Sequence, residues 1–228
     1  LAYFDVLFNS LREVKFENCP ELQIAAVGNN NLVSLSLRGL PKLSSLGCHQ
    51  NSIASLDLSQ LPKLSFLECY TNNLAALDLS ANSALTYVAC QNNLISELKL
   101  DNCTALRKID CSNNRLTGSL DLNKLTALTS VSCGGNTLAA IGVNACTALT
   151  SLSCANTSIT ALDVTTLSLL ESLVANDCLI TTMDCSNNKN LATLYLQDLS
   201  DFIRATVCEE FEIVKYGEQL AVAIAEFS

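Results

Sequence analysis

The chain is 228 residues long and 49% hydrophobic, enough for a sizeable core and too apolar for a disordered segment. A formal net charge of −9, with only 13 Lys and Arg and no basic cluster longer than Arg107-Lys108, argues against nucleic acid as a partner. No apolar run approaches the roughly 18 residues needed to cross a bilayer, and nothing at the start has the basic, apolar and small-residue order of a signal peptide.

Along the chain, Leu1, Leu22, Leu43, Leu64, Leu85 and Leu106 recur every 21 residues; Leu128 follows after 22, and Leu149, Leu170 and Leu191 return to 21. The one longer unit is accounted for by an inserted residue in "RLTGSLDL", where Leu116 to Leu120 spans four positions instead of three. Each unit reads LxxLxCxxNxLxxLDLSxxxx, as in "LSSLGCHQNSIASLDLS", "LSFLECYTNNLAALDLSANSA", "LTSVSCGGNTLAAIGV" and "LTSLSCANTSITALDV". A period of this size means stacked coils, none of which can bury its apolar face alone. The first and last coils, "LAYFDVLFNSLREVKF" and "LATLYLQDLS", are degenerate, as end coils are. Because the chain opens without Met and without a polar capping segment, we expect a processed or excised form. Its natural chain is then expected either to extend upstream or to use coil one, rich in Tyr3, Phe4, Phe8 and Phe16, as a poor cap or contact surface. Residues 200–228 leave the pattern; "FEIVKYGEQLAVAIAEF" starts strand-like and ends in an apolar part that fits a strand or a short helix. The expected domains are therefore a repeat array over 1–199 and a C-terminal cap over 200–228.

This pattern resembles the leucine-rich repeat family, and within it the short 21-residue bacterial class, over residues 1–199. The residues argue for the same fold. In each first half, Leu67 and Cys69 alternate with Phe66 and Glu68, the period of two of a strand with one face inward. The second half, "LAALDL", alternates again at Leu77 and Leu79. We expect a mainly β solenoid of about nine to ten coils, with a parallel sheet on the concave face, extended or short-strand segments on the convex face, and low curvature.

Asn9, Asn30, Asn51, Asn72, Asn93, Asn114 and Asn136 share one repeat position, where a buried amide satisfies turn backbone and bonds to the next coil; Thr157 and Cys178 replace it late in the array, where the ladder is expected to weaken. Cys48, Cys69, Cys90, Cys111, Cys133 and Cys154 fall where other coils carry Val6, Val27, Ala175 and Leu196, which identifies a small buried hydrophobe. Cys19, Cys103 and Cys146 share a site with Leu40, Leu61, Leu125 and Leu167, and Cys185 matches Leu58. No CxxC-type spacing points to a metal, and in-register neighbours about 4.8 Å apart are poorly placed for disulfides, so the cysteines read as reduced and structural.

Other chemistry is sparse. The only histidine, His49, is expected on the strand face opposite Cys48, which removes a Cys-His pair; it reads as a solvated surface side chain or as a binding contact beside Tyr70. Asp57, Asp78, Asp121, Asp163 and Asp184 form a column interrupted by Ser36, Lys99 and Gly142; turn capping and solubility explain it better than a calcium ladder, since the Gly-rich nonapeptide of calcium-binding rolls is missing. No catalytic residue, cofactor or metal site is expected.

What remains is the outward face of the first sheet. Phe66 and Tyr87 fall in one column beside Lys108, Glu68 and Asp110 in the next, and His49 and Tyr70 just beyond: an aromatic and acidic patch of the kind that marks binding surfaces. The later coils show mainly Ser130, Ser132, Ser151, Ser153 and Ser172 there. The expected function is non-enzymatic recognition of a protein or glycan ligand on this face. The family resemblance implies a secreted or surface-anchored bacterial protein with an adhesion role. A cytoplasmic scaffold, suggested by reduced cysteines, and a spacer within a larger repeat protein are the alternatives; a hydrolase with His49 and Glu68 as acid and base requires a pocket around them.

Overall fold

A computed structural model describes residues 1–16 and 19–197 with their side chains, and residues 204–208, 211–216 and 219–224 as backbone strands. The chain falls into two compact units, Leu1–Leu116 and Thr117–Ser228.

The first unit holds strands β1 (Tyr3–Asp5), β2 (Ile24–Ala26), β3 (Ser45–Gly47), β4 (Phe66–Glu68), β5 (Ala76–Asp78), β6 (Tyr87–Ala89), β7 (Glu97–Lys99) and β8 (Lys108–Asp110). β1, β2, β3, β4, β6 and β8 pair in that order, all parallel, and each pair is offset by one repeat, so that Phe4, Ala25, Leu46, Leu67, Val88 and Ile109 form one in-register row. Period-two alternation puts this row inward: Ala25, Leu46, Leu67, Val88 and Ile109 are buried. Two residues on, Val27, Cys48, Cys69 and Cys90 are fully buried at a common position, which bears out the reading of that column as small packing residues. On the other side of the coils β5 pairs with β7, Leu77 opposite Leu98; the remaining second halves are extended without a ladder.

The second unit holds β9 (Thr117–Asp121), β10 (Ser130–Ser132), β11 (Thr137–Gly142), β12 (Ser151–Ser153), β13 (Ser172–Val174), β14 (Thr182–Asp184), β15 (Thr193–Tyr195), β16 (Arg204–Cys208), β17 (Phe211–Tyr216) and β18 (Gln219–Ile224). β10, β12, β13 and β15 pair in that order in parallel, each offset by one repeat. β9, which carries the inserted residue, pairs with β11 through a register shift that leaves Ala139 unpaired between Leu138 and Ala140, and Gly118 opposite Leu138 lies in the left-handed region at φ +68°. β16 adds to β14 in parallel, and β17 and β18 follow antiparallel, so the apolar stretch left open as strand or helix is a strand. Mainly β, parallel and repetitive, both units have the solenoid coils expected.

The asparagine position works through the preceding coil. Asn72 Nδ2 donates to Cys48 O of the coil before at 3.0 Å and to Cys69 O of its own at 3.1 Å, while its Oδ1 accepts from Ile53 N at 2.9 Å. Asn30, Asn51, Asn93 and Asn114 repeat the arrangement, whereas the Asn9 side-chain amide donates within its own turn, to Val6 O and Leu7 O. The residue before each ladder position turns the chain in the left-handed region, at Phe8, Asn29, Gln50, Thr71, Asn92 and Asn113. Late in the array the amide is replaced as expected: Thr157 Oγ1 donates to Cys154 O of its own coil and lies 3.3 Å from Cys178 Sγ of the next, and Cys178 Sγ keeps the link to the coil before, 3.3 Å from Cys154 O.

A second polar column went unread in the sequence. Asn82 and Asn188 are buried where other coils carry Leu61 or Cys103, and each donates to two carbonyls of the coil before. Cys103 Sγ and Cys146 Sγ address the equivalent carbonyls at 3.3 Å, to Leu79 O and Leu122 O. These two thiols therefore do more than fill a leucine-sized space; they replace an amide as donor.

Candidate functional site

The outward columns of the first unit follow from its register: Tyr3, Ile24, Ser45, Phe66, Tyr87 and Lys108 in one, Asp5, Ala26, Gly47, Glu68, Ala89 and Asp110 in the next. Parallel strands without stagger bring like positions of adjacent coils within about 4.8 Å, the thickness at which planar side chains stack. Two stacks form. Phe66 and Tyr87 lie 4.6 Å apart between ring centroids at 7°, and His49 and Tyr70 lie 4.6 Å apart at 10°.

His49 is not the solvated side chain the sequence suggested. Only 13% of it is exposed, because Tyr70 covers one face and Gly28 lies against the other; a Cβ on Gly28 would fall 2.7 Å from Cε1 and Nε2. Asn29 Nδ2 and His49 Nε2 are hydrogen-bonded at 3.2 Å. His49 Nδ1 is buried without a hydrogen bond, and the nearest carboxylate oxygen, Glu68 Oε2, is 3.7 Å away, beyond hydrogen-bond reach.

Glu68 links the stacks electrostatically. Burial, then the Glu68 charge, raises the Tyr70 phenol; burial, then Glu68, Asp110 and Tyr70, raises that of Tyr87. Both tyrosines accordingly stay neutral and present O–H groups. Of the seven residues the sequence singled out, the structure brings five together: Phe66 against Tyr87, His49 against Tyr70, and Glu68 beside His49. Lys108 is exposed one strand beyond Tyr87. Asp110 is engaged locally, its Oδ1 accepting Ser112 N and Oγ at 3.0 and 2.6 Å. Sequence reasoning missed Gly28, Asn29 and Gly47 as determinants of this surface; the readable signal was a glycine in the very column where the next coil carries histidine.

The same face of the second unit carries in-register hydroxyls, Ser130, Ser151, Ser172 and Thr193 in one column and Ser132 and Ser153 in the next. In the second halves of the coils the aspartates cap turns. Oδ1 of Asp57, Asp78 and Asp163 each accepts the N–H and the hydroxyl of the residue two on, and Asp184 accepts Ser186 N. These bonds, the side-chain one first, hold the four carboxyls below their ordinary range. Among the described residues no three potential ligands converge on a metal position, and no helix is long and apolar enough to cross a membrane.

No protein-family model and no curated protein sequence matches the chain. Solved structures do. The functional domain of InlJ from Listeria monocytogenes, described as including a cysteine ladder, is 28% identical over 91% of this chain and 51% of its own, with a TM-score of 0.73. The internalin InlF from the same species is 24% identical over 82% of this chain and 62% of its own, with a TM-score of 0.72. The leucine-rich-repeat ectodomain of the membrane receptor kinase GASSHO1/SCHENGEN3 from Arabidopsis thaliana, in complex with Casparian strip integrity factor 2, is 25% identical over 77% of this chain and 24% of its own, with a TM-score of 0.69. The chain thus spans between 24% and 62% of the length of these three proteins.

Proposed function

We propose that this chain, a leucine-rich-repeat solenoid similar to bacterial proteins of that fold, is a non-enzymatic recognition module whose first-unit sheet face, centred on Phe66, Glu68, Tyr70, Tyr87 and His49, meets a macromolecular ligand. The observation that carries this reading is the pairing of aromatic rings into two stacks around a poorly neutralised carboxylate. Aromatic groups already held in place lose little freedom on binding, which is what makes them anchors of interfaces. The plant receptor ectodomain in complex with its factor offers a precedent for partner binding on this fold. Protein is the better-supported ligand class; a glycan is the alternative. Lys108 and Asp110 form the rim of the surface.

By analogy with the internalins, the module works at the surface of a bacterial cell or in a secreted protein. The hydroxyl face of the second unit favours a second role for that part, as a spacer that holds the recognition coils away from other domains. Residues 200–228 serve as its cap: β16 adds to β14, and the β17–β18 hairpin extends from it.

The test is substitution of Phe66, Tyr70 and Tyr87 by Ser or Ala, followed by cell-surface and glycan-array binding. Loss of binding with unchanged thermal stability is the expected result; undiminished binding of a ligand that the unaltered protein holds would reject the patch.

A further inference from the structure

Along both outward columns of the first unit, one coil is cut low. β3 contributes Ser45 and Gly47, while β4 on one side contributes Phe66 and Glu68, and β2 on the other contributes Ile24 and Ala26. A Cβ built on Gly47 would meet nothing closer than 3.8 Å, and its neighbours there are His49 Nδ1 and Glu68 Oε2, at 3.8 and 3.9 Å. The result is a slot one strand spacing thick, about 4.8 Å. Phe66 forms one wall, Glu68 stands beside it, and His49 closes the end.

The dimensions of the slot fit a planar group. Tyr87 occupies one layer against Phe66 at 4.6 Å, and the empty layer over Ser45 faces the opposite side of the same ring. The charge on the slot is negative: no described residue donates a hydrogen bond to the Glu68 carboxylate, whose side chain is 28% exposed, and the nearest ring nitrogen, His49 Nδ1, stays 3.7 Å away, beyond hydrogen-bond reach. The only cation in these columns, Lys108, lies on the far side of Tyr87. A group that is flat, cationic and able to donate two parallel N–H bonds to a carboxylate is a guanidinium; a lysine ammonium has no plane to stack and is more strongly hydrated.

We propose that the Ser45–Gly47 slot seats an arginine side chain of a protein partner, its guanidinium stacked on the exposed side of Phe66 and paired with the Glu68 carboxylate. The inference rests on the reading of this face as a recognition surface and gives it a partner chemistry. It also assigns work to two residues with almost no side chain: Ser45 and Gly47 are specificity determinants because they are small.

The test uses the whole chain and two probes, the peptides acetyl-Gly-Gly-Arg-Gly-Gly-amide and acetyl-Gly-Gly-Lys-Gly-Gly-amide, titrated by NMR. Shifts at the amides of 45–49 and 66–70 are expected with the arginine peptide, with binding at least about fivefold tighter than for lysine. Gly47→Leu, which fills the slot, and Glu68→Gln, which removes its charge, are each expected to weaken the arginine peptide about tenfold; Ser45→Phe serves where Gly47→Leu unfolds the chain. Equal binding of the two peptides, binding unaffected by both filled-slot variants, or no shifts in these segments would overturn the assignment. Those results leave the wider reading intact if the Phe66, Tyr70 and Tyr87 variants still lose their ligand, so the two failures are distinguishable.

Discussion

The His49 imidazole lies flat on the Tyr70 ring, 4.6 Å away at 10°, and it does so because Gly28 in the preceding coil has no side chain. Glycine, histidine and tyrosine at one repeat position in three successive coils form a single construction. Gly28→Ala should break it: the new methyl would fall 2.7 Å from two ring atoms, so the imidazole must swing off Tyr70. The expected cost is about 1 kcal/mol by chemical denaturation, with a loss of the ring-current shift that Tyr70 imposes on His49 in NMR spectra. Unchanged histidine ring shifts would show that the stack does not depend on Gly28.

The asparagine ladder separates inner from end coils. Asn72 serves backbone groups of two coils, and Asn72→Ala strands Ile53 N in the interior and leaves Cys48 O with Asn51 Nδ2 alone of its two amide donors. The expected destabilisation is about 1–3 kcal/mol in urea unfolding. Asn9→Ala removes bonds that are exposed and confined to one turn, so its expected cost is below about 1 kcal/mol. Equal effects at the two positions would contradict an inter-coil role.

Thr71 occupies the left-handed turn position at φ 54°, where asparagine stands in the coils at 29, 92 and 113. A β-branched residue is strained there. Thr71→Asn is expected to raise the stability by about 1 kcal/mol, read as a higher denaturation midpoint at unchanged slope. A lower midpoint would mean that the threonine side chain contributes something its backbone conformation does not reveal.

Stability should fall at both ends of the pH scale. Burial pushes the Cys48 thiol up to about 12 from an ordinary value of 9.0. The unfolded chain therefore gives up this proton first, so the thiol's contribution is complete below about pH 9 and drains away as pH rises toward 12. At the acid end the capping carboxyls of Asp57, Asp78 and Asp184 are held below 3.8 by their turn bonds. Their contribution is present above that value and is lost as pH falls through the lower folded values. Melting temperatures from pH 2 to 11 check both limbs. At pH 8 the buried thiols of Cys48, Cys69 and Cys90, all raised by burial, should react with Ellman's reagent only as fast as the chain unfolds; rapid labelling of these three in the native state would overturn this.

Much of this structure was legible because a repeat is a sequence aligned with itself. The exchange of Cys69 for Val27 and Leu196 revealed a buried apolar site without any fold in hand, and register followed from the 21-residue step, so Phe66 beside Tyr87 was readable too. What alignment concealed were departures within a column. Asn82 standing among leucines at a buried position, and Gly28 beneath His49, follow from contacts between unlike residues of adjacent coils, which a consensus averages away. The burial of His49 was missed for the same reason: alternation gives the direction of a side chain and not the space its neighbours leave.

Hydrogen exchange of the chain with and without a bound ligand tests the central claim most directly. If the first-unit face is the recognition surface, protection on binding will concentrate in residues 45–49, 66–70 and 87–91. Protection confined to the second-half strands, or to the serine columns of the second unit, would contradict it.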